Sequence, residues 1–338
     1  MIPRKSIGNQ TRKYFTKPLE LLEHLNLSPE ALQFSEAAAQ DFHFKVPLAY
    51  VNKIQSGDPT DPLLLQILPV QAELNSHPDY VRDPLAEANS LFQPGLLQKY
   101  HGRALLLVTP SCAINCRYCF RRHYPYEDKG YLAKQMHKNI QLIQQDDSIS
   151  EVILSGGDPL SLSDARLAEL IAQLETIPHL QRLRIHTRFP VVEPQRVTAK
   201  LLQLLSSTRL SVIMVLHINH AQEIATDTAA ALKKLQEQQI ILFNQSVLLK
   251  GVNDDVQVLK TLSETLIKHH IVPYYLHMLD HVQGSAHFEI SDAVAIRLHQ
   301  QLREILPGYM LPRLVREVAG EKSKLDIFTE SIQQTKPV

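Results

Sequence analysis

Between residues 103 and 280 the chain alternates two textures. Short, nearly continuous apolar runs occur at "ALLLVTP" (104–110), "EVILSGG" (151–157), "LRIHTR" (183–188), "LSVIMVLHIN" (210–219), "IILFNQSVL" (240–248) and "VPYYLHML" (272–279). Between them apolar residues recur every three or four positions, around 131–145 and in "SDARLAELIAQLETI" (163–177), "EPQRVTAKLLQLL" (193–205), "AQEIATDTAAALKKLQEQ" (221–238) and "DVQVLKTLSETLIKHH" (255–270). The first texture predicts strands and the second amphipathic helices. Strands apolar on both faces and separated by helices form a covered parallel sheet or a barrel. Six such units, spaced roughly 30 residues apart, predict an α/β fold built on a partial, TIM-like (β/α)6 barrel.

The N-terminal part reads differently. "PLELLEHL" (18–25) and "SPEALQFSEAAAQDF" (28–42) carry helical patterns, the second with Ser28 as N-cap and Pro29 at the first helical position. From 43 to 97 prolines recur in "GDPTDPL", "ILPV", "HPDY", "RDPL" and "FQPG", which predicts an extended segment lying on something else. The expected organisation is a helical and extended wrap over 1–97, a barrel over 98–300 and a C-terminal segment over 301–338.

Almost every predicted strand ends in polar or special residues. Cys112 follows the first and Ser155-Gly156-Gly157-Asp158 the second; then come His186-Thr187-Arg188, His217-Ile218-Asn219, Asn244-Gln245-Ser246, and His277 through Asp280. In a parallel barrel these ends meet on one rim, where barrel enzymes keep their sites. A strand leaving a core becomes polar for no other reason once or twice; six ends with this chemistry point to an enzyme.

Composition narrows the class. The 338 residues carry 35 basic and 35 acidic side chains, so no net charge draws the protein to nucleic acid or an anionic membrane. An apolar content of 44% with 21% charged residues is that of a globular protein. The opening "MIPRKSIGNQTRKYFTKPL" lacks the apolar core of a secretory signal, and no run approaches the ~18 apolar residues of a membrane span. A cytoplasmic protein with reduced thiols is expected.

Its three cysteines all fall in "TPSCAINCRYCFRRHYP" (109–125), as Cys112, Cys116 and Cys119. An odd, clustered trio in a reducing compartment argues for metal or redox chemistry. Three thiolates satisfy three corners of a cubane iron–sulfur cluster and leave one iron open to a small molecule. The alternative is a closed Cys3His zinc site with His123, which would make the chain a zinc-stabilised binding protein without catalysis.

C-x3-C-x2-C after the first barrel strand, with an aromatic before the last cysteine, resembles the radical S-adenosylmethionine superfamily. There the open iron of a [4Fe-4S] cluster chelates S-adenosylmethionine, and a glycine-bearing strand end such as "SGGDPL" (Gly156, Gly157, Asp158) holds its amino group. "CRYCFRR", "ILSGGDPL", "TRFPVVEPQRVT", "FNQSVLLKGVND" and "GYMLPRLVREVAG" resemble, in the same order, segments of the lysine 2,3-aminomutase family. The resemblance runs ungapped from the cysteines onward and covers roughly residues 45–325. It is strongest to short bacterial members that make (R)-β-lysine for the modification of elongation factor P.

The resemblance implies an isomerase that moves an amino group from C2 to C3 of L-lysine with pyridoxal 5'-phosphate as second cofactor. By its register Lys324 in "GEKSKLD" holds the coenzyme aldehyde, with Lys322 as competitor; family members have a glycine-rich run there. Arg103 matches a position that contacts the coenzyme phosphate, and His217 and Gln245 match contacts to S-adenosylmethionine. Arg121 matches the arginine that binds the substrate carboxylate, for which a guanidinium fork is suited. Asp280 and Glu317 match two acids that grip the distal ammonium, the second being aspartate in the family. The implied partners are L-lysine, an external one-electron reductant of flavodoxin or ferredoxin type and, functionally, elongation factor P with its ligase. With no fourth cysteine, the zinc-binding extension of larger members is expected to be absent. The substrate could instead be another amino acid or a protein lysine, and a homo-oligomer stays open.

Overall fold

The computed structural model describes residues 13–87, 91–98, 100–124 and 129–327. The expectations for the leader stretch 1–12 and for the tail 328–338 lie outside them.

A short antiparallel pair, β1 (Tyr14–Phe15) and β2 (Val46–Pro47), ties the wrap to itself. A second sheet then follows chain order from β3 (Leu91–Gln93) and β4 (Leu96–Leu97) through β5 (Arg103–Thr109), β6 (Glu151–Gly156), β7 (Arg182–Thr187), β8 (Ser211–His217), β9 (Ile241–Val247), β10 (Val272–His277) and β11 (Arg313–Arg316) to β12 (Leu325–Asp326). β5 to β11 are parallel neighbours, whereas β3, β4 and β12 join antiparallel at the two edges. The six expected strands are present within two residues of their predicted ends, in an open, partial barrel. β11 adds a seventh parallel strand that the apolar pattern did not signal, because only Leu314 and Val315 of its four residues are buried.

The helices are α1 (Pro18–His24), α2 (Glu36–Asp41), α3 (Leu48–Val51), α4 (Pro62–Leu65), α5 (Lys129–Gln145), α6 (Asp164–Glu175), α7 (Phe189–Val192), α8 (Ala199–Ser207), α9 (Thr226–Glu237), α10 (Val256–Lys268) and α11 (Asp292–Ile305). The helix expected from Ser28 is shorter than its pattern. Residues 29–33 form turns, with Gln33 at φ 50°, and α2 starts only after Ser35, whose hydroxyl accepts from the Ala38 N–H. The helix expected from 193 likewise starts late, because Pro194–Arg196 form a single 3₁₀ turn and Thr198 caps α8. α11 crosses residue 300, and β11 pairs in parallel with β10 in the same sheet.

Alternate residues of the strands face opposite ways. Leu106, Leu154, Leu183, Ile185, Met214, Leu216 and Leu242 are buried against helix residues such as Leu170, Leu174, Leu201, Leu205 and Leu235. Each such leucine contributes roughly 2 kcal/mol by leaving water. Phe15, Leu21, Tyr50, Leu63 and Ile67 of the wrap belong to the same core, so the wrap packs as part of the barrel. Among the described residues no helix is long and apolar enough to cross a membrane.

Candidate active site

β5 delivers the chain into the cysteine loop, which coils in tight turns: the Cys119 N–H donates to the Cys116 carbonyl at 3.1 Å and the Arg122 N–H to the Cys119 carbonyl at 3.0 Å. The wrap pins this loop at several points. Lys45 Nζ donates to the Cys112 carbonyl at 2.8 Å, and the Arg117 N–H to the Gln66 carbonyl at 2.9 Å. Beneath the loop Glu73 forms a fully buried ion-pair triad with Arg117, at 2.6 Å, and Arg122, at 2.8 Å. Arg117 also donates to the Phe42 and Ala38 carbonyls.

The other strand face encloses a cavity of ≈ 560 Å³. It is walled by same-face pairs: Arg103 and Leu105 from β5, Ile153 and Ser155 from β6, Arg184 and His186 from β7, Val215 and His217 from β8, Gln245 and Val247 from β9, Tyr275 and His277 from β10. Most of the residues singled out in the sequence reach it. The three cysteines, Gly156, Gly157 and Asp158, His217 and Gln245, Arg103 and Lys324, and Arg121, Asp280 and Glu317 all line this one space. Lys322 is exposed and does not line it. His123 does not line it either; its ring nitrogen is 3.1 Å from the Gln283 carbonyl. Among the described residues no three His, Cys, Asp or Glu side chains converge on a single metal ion.

The glycines are explained by the backbone beside them. Gly156 has φ 121°, and a Cβ there would lie 2.5 Å from the Thr109 carbonyl oxygen. A Cβ on Gly157 would collide with the Ser111 carbonyl. The end of β6 is therefore pressed against the start of the cysteine loop, with the Asp158 N–H donating to the Ser111 carbonyl at 2.8 Å. Asp158 then brackets the ends of β6 and β7. Its Oδ1 accepts from Thr187 Oγ1 at 2.7 Å and from the Leu160 N–H, and its Oδ2 accepts from the Arg188 N–H at 2.7 Å. Burial still pushes its carboxyl up to about 6, against the pull of those donors.

Behind the loop lies a closed polar network. Arg188, buried at the end of β7, pairs with Glu223 at 2.9 Å and donates to Gln66 Oε1, to the Tyr118 hydroxyl and to Cys116 Sγ. Tyr118 OH lies 2.8 Å from His217 Nε2 and accepts from Asn219 Nδ2. Burial, with Arg188 nearby, drives His217 down to about 3, so this ring is neutral.

The charged residues assigned to substrate meet internal partners. Arg121 forks onto Glu87, Nε to Oε2 at 2.7 Å and Nη2 to Oε1 at 2.8 Å, and its Nη1 donates to Ser155 Oγ at 2.9 Å. Lys324 Nζ is ion-paired with Glu317 and lies 5.8 Å from the centre of the Tyr275 ring.

Comparison with known proteins places this geometry. The radical SAM superfamily model matches residues 106–262, the stretch from β5 through most of α10. A protein named L-lysine 2,3-aminomutase from Haemophilus influenzae is 48% identical over 331 residues, 96% of this chain and 98% of its own. The chain belongs to the lysine 2,3-aminomutase family. Proteins of the same name from Escherichia coli and Clostridium subterminale are 43% and 34% identical, covering 93% and 77% of their own lengths and 94% of this chain in each case. The solved structure of Streptococcus suis SuiB bound to S-adenosylmethionine is similar in fold alone, with a TM-score of 0.50 and 15% identity over 69% of this chain and 55% of that one. Membership makes the protein an isomerase, and the superfamily implies a [4Fe-4S] cluster and S-adenosylmethionine.

In this aminomutase the cysteines fit the implied cluster. Burial and the neighbouring cysteine sulfurs push the Cys119 thiol up to about 11 and Cys112 above its usual range as well. Thiols crowded in this way ionise readily only beside a cation, which iron supplies. At the other end, Arg103, Arg184 and Arg313 line the cavity with Lys324, a cluster of cations suited to an anionic group. His186 Nε2 and His277 Nε2 are buried there without a protein hydrogen-bond partner. Arg184, Arg313 and Glu87 escaped the sequence reading. A signal for Arg184 existed: β7 alternates strictly, with Arg182, Arg184 and His186 less buried than Leu183, Ile185 and Thr187.

Proposed function

We propose that this isomerase converts L-lysine to (R)-β-lysine. One observation carries the reading: three cysteines, a lysine among arginines, and a cation with two acids share a single cavity of ≈ 560 Å³. When bound, S-adenosylmethionine on a [4Fe-4S] cluster supplies a radical, and pyridoxal 5'-phosphate supplies the π-system through which nitrogen moves. Cys112, Cys116 and Cys119 hold the cluster. Gly156, Gly157, Asp158, His217 and Gln245 form the wall against S-adenosylmethionine. Lys324 anchors the coenzyme, with Arg103 toward its phosphate. Arg121 takes the substrate carboxylate, and Asp280 with Glu317 takes the distal ammonium. Once Lys324 leaves its pair with Glu317 for the coenzyme, that acid and Asp280 favour a basic side chain over an acidic or apolar one.

The enzyme acts in the cytoplasm with a low-potential one-electron donor of flavodoxin or ferredoxin type. Its product serves the ligase that modifies elongation factor P. The support for this last point is the resemblance of the chain's motifs to the short bacterial members of the family. The test is anaerobic incubation of reconstituted, reduced protein with both cofactors and L-lysine. β-Lysine in the mass spectrum is expected, and borohydride should fix the coenzyme on Lys324. Absence of product from a sample with a full iron–sulfur signal overturns the reading.

A further inference from the structure

We infer that Arg188 sets the reduction potential of the cluster by donating a hydrogen bond to the Cys116 sulfur. The inference rests on the reading that the cysteine loop holds a [4Fe-4S] cluster. Arg188 reaches Cys116 Sγ through Nη1, and the same nitrogen donates to Tyr118 OH at 3.0 Å. Its other terminal nitrogen is fixed by Glu223 Oε2 at 2.9 Å and Gln66 Oε1 at 2.7 Å. The backbone N–H of Arg188 is held by Asp158. Glu223 is itself locked, its Oε1 accepting from the N–H groups of Asn219 and His220. The guanidinium therefore has little freedom to turn away from the sulfur.

The direction of the effect follows from charge. One electron from the donor protein takes the cluster from 2+ to 1+, so the reduced cluster and its thiolates are the more negative state. A hydrogen bond to a ligating sulfur, from a group that stays charged at any accessible pH, stabilises that state more. Burial magnifies the difference, because water does not screen it. Arg188 thus eases reduction of the cluster. It is a positioning residue; nothing in its geometry requires it to touch substrate.

The test compares cluster midpoint potentials, read by the EPR signal of the reduced cluster against poised dyes. Removing Arg188 alone would strand Glu223, so the main variant is the pair Arg188→Met with Glu223→Gln. Its reduction should become at least tenfold less favourable, about 59 mV more negative for one electron. Glu223→Gln alone keeps the contact to Cys116, and its potential should stay or rise. A double variant that holds four irons at the wild-type potential overturns the inference. If the double variant loses iron, wild-type protein carrying 15N-guanidino arginine decides instead. Pulsed EPR of the reduced cluster should show a 15N coupling that Arg188→Lys abolishes; no coupling overturns the inference. A wild-type sample without any iron–sulfur signal instead sinks the cluster reading on which the inference stands.

Discussion

Replacing Glu73 by glutamine tests whether the wrap holds the cysteine loop by charge. Glu73, Arg117 and Arg122 have side chains with no exposure to solvent, and the carboxylate meets Arg117 Nε at 2.8 Å, Arg117 Nη2 at 2.6 Å and Arg122 Nη2 at 2.8 Å. Glutamine fills the same space and keeps one oxygen acceptor, but the negative charge is gone. Arg122 retains a distant acid, Asp41, whose side chain is half exposed, at 3.3 Å. Arg117 keeps only the Phe42 and Ala38 carbonyls. Breaking a buried pair from one side costs about 3–5 kcal/mol, and because carbonyls remain the lower end applies. At about 2 °C per kcal/mol for a chain of this size, the melting temperature should fall by roughly 6 °C.

The assay is a thermal melt followed by circular dichroism, paired with iron content after anaerobic reconstitution. Arg117 lies between Cys116 and Cys119, so a loosened loop should also hold less iron. The surface pair Arg166–Glu169, 2.8 Å apart with both side chains more than half exposed, supplies the control. Glu169→Ala should change stability by less than about 1 kcal/mol. If Glu73→Gln melts within a degree of wild type and keeps its iron, the triad does not hold the loop.

Three further outcomes are expected. Gly157→Ala drives a Cβ into the Ser111 carbonyl and so displaces the start of the cysteine loop; iron per chain should drop well below that of wild type, whereas Gly308→Ala, with open space around it, should leave iron unchanged. Arg121→Lys keeps the charge but loses both the fork onto Glu87 that orients the side chain and a planar face for the substrate carboxylate, so KM for lysine should rise about tenfold, roughly 1.4 kcal/mol, with kcat changed less; an unchanged KM removes Arg121 from carboxylate binding. His277 is held neutral by burial and by Lys324, down to about 3, and His186 lies well below its usual range for the same first reason. The unfolded chain takes up protons on these rings near pH 6.5 and the folded chain does not, so stability present above pH 6.5 is lost as pH falls below it. Both rings line a cavity that water reaches, which limits the loss to about 1 kcal/mol apiece between pH 7 and pH 5; a melting temperature that is flat over that range contradicts the assignment.

The barrel was legible because its strands carry short apolar runs, continuous or alternating, and its helices bury one face every three or four residues, so each leaves a different period in the sequence. An unbroken apolar run is not needed at every strand: β7 alternates, yet Leu183 and Ile185 sufficed to mark it. β11 was missed because four residues, two of them arginines, carry too little apolar signal to stand out from a loop. The start of α2 was misplaced because Ser28-Pro29 satisfies the local rules for a helix start as well as Ser35 does, and only the bridge of Phe34 to Val70 decides between them. At the site, the residues that line the cavity were legible through a family resemblance, while the groups that hold them were not.

Those unseen groups follow one physical rule. The cysteine loop brings Arg117, Arg121 and Arg122 into a buried rim, and β7 adds Arg188. A buried guanidinium without a counter-charge is too costly to persist. The carboxylates come from elsewhere in the chain: Glu73 and Glu87 from the wrap, Glu223 from the turn after β8. Their sequence separations of 34 to 49 residues put them beyond any local pattern. The proline-rich wrap, which reads as a passive cover, is thus the source of the negative charge that lets an arginine-rich loop stay buried beside the three cysteines. It follows that the wrap cannot be removed as a separable domain: without it the loop would keep its thiols but lose the carboxylates that neutralise Arg117, Arg121 and Arg122.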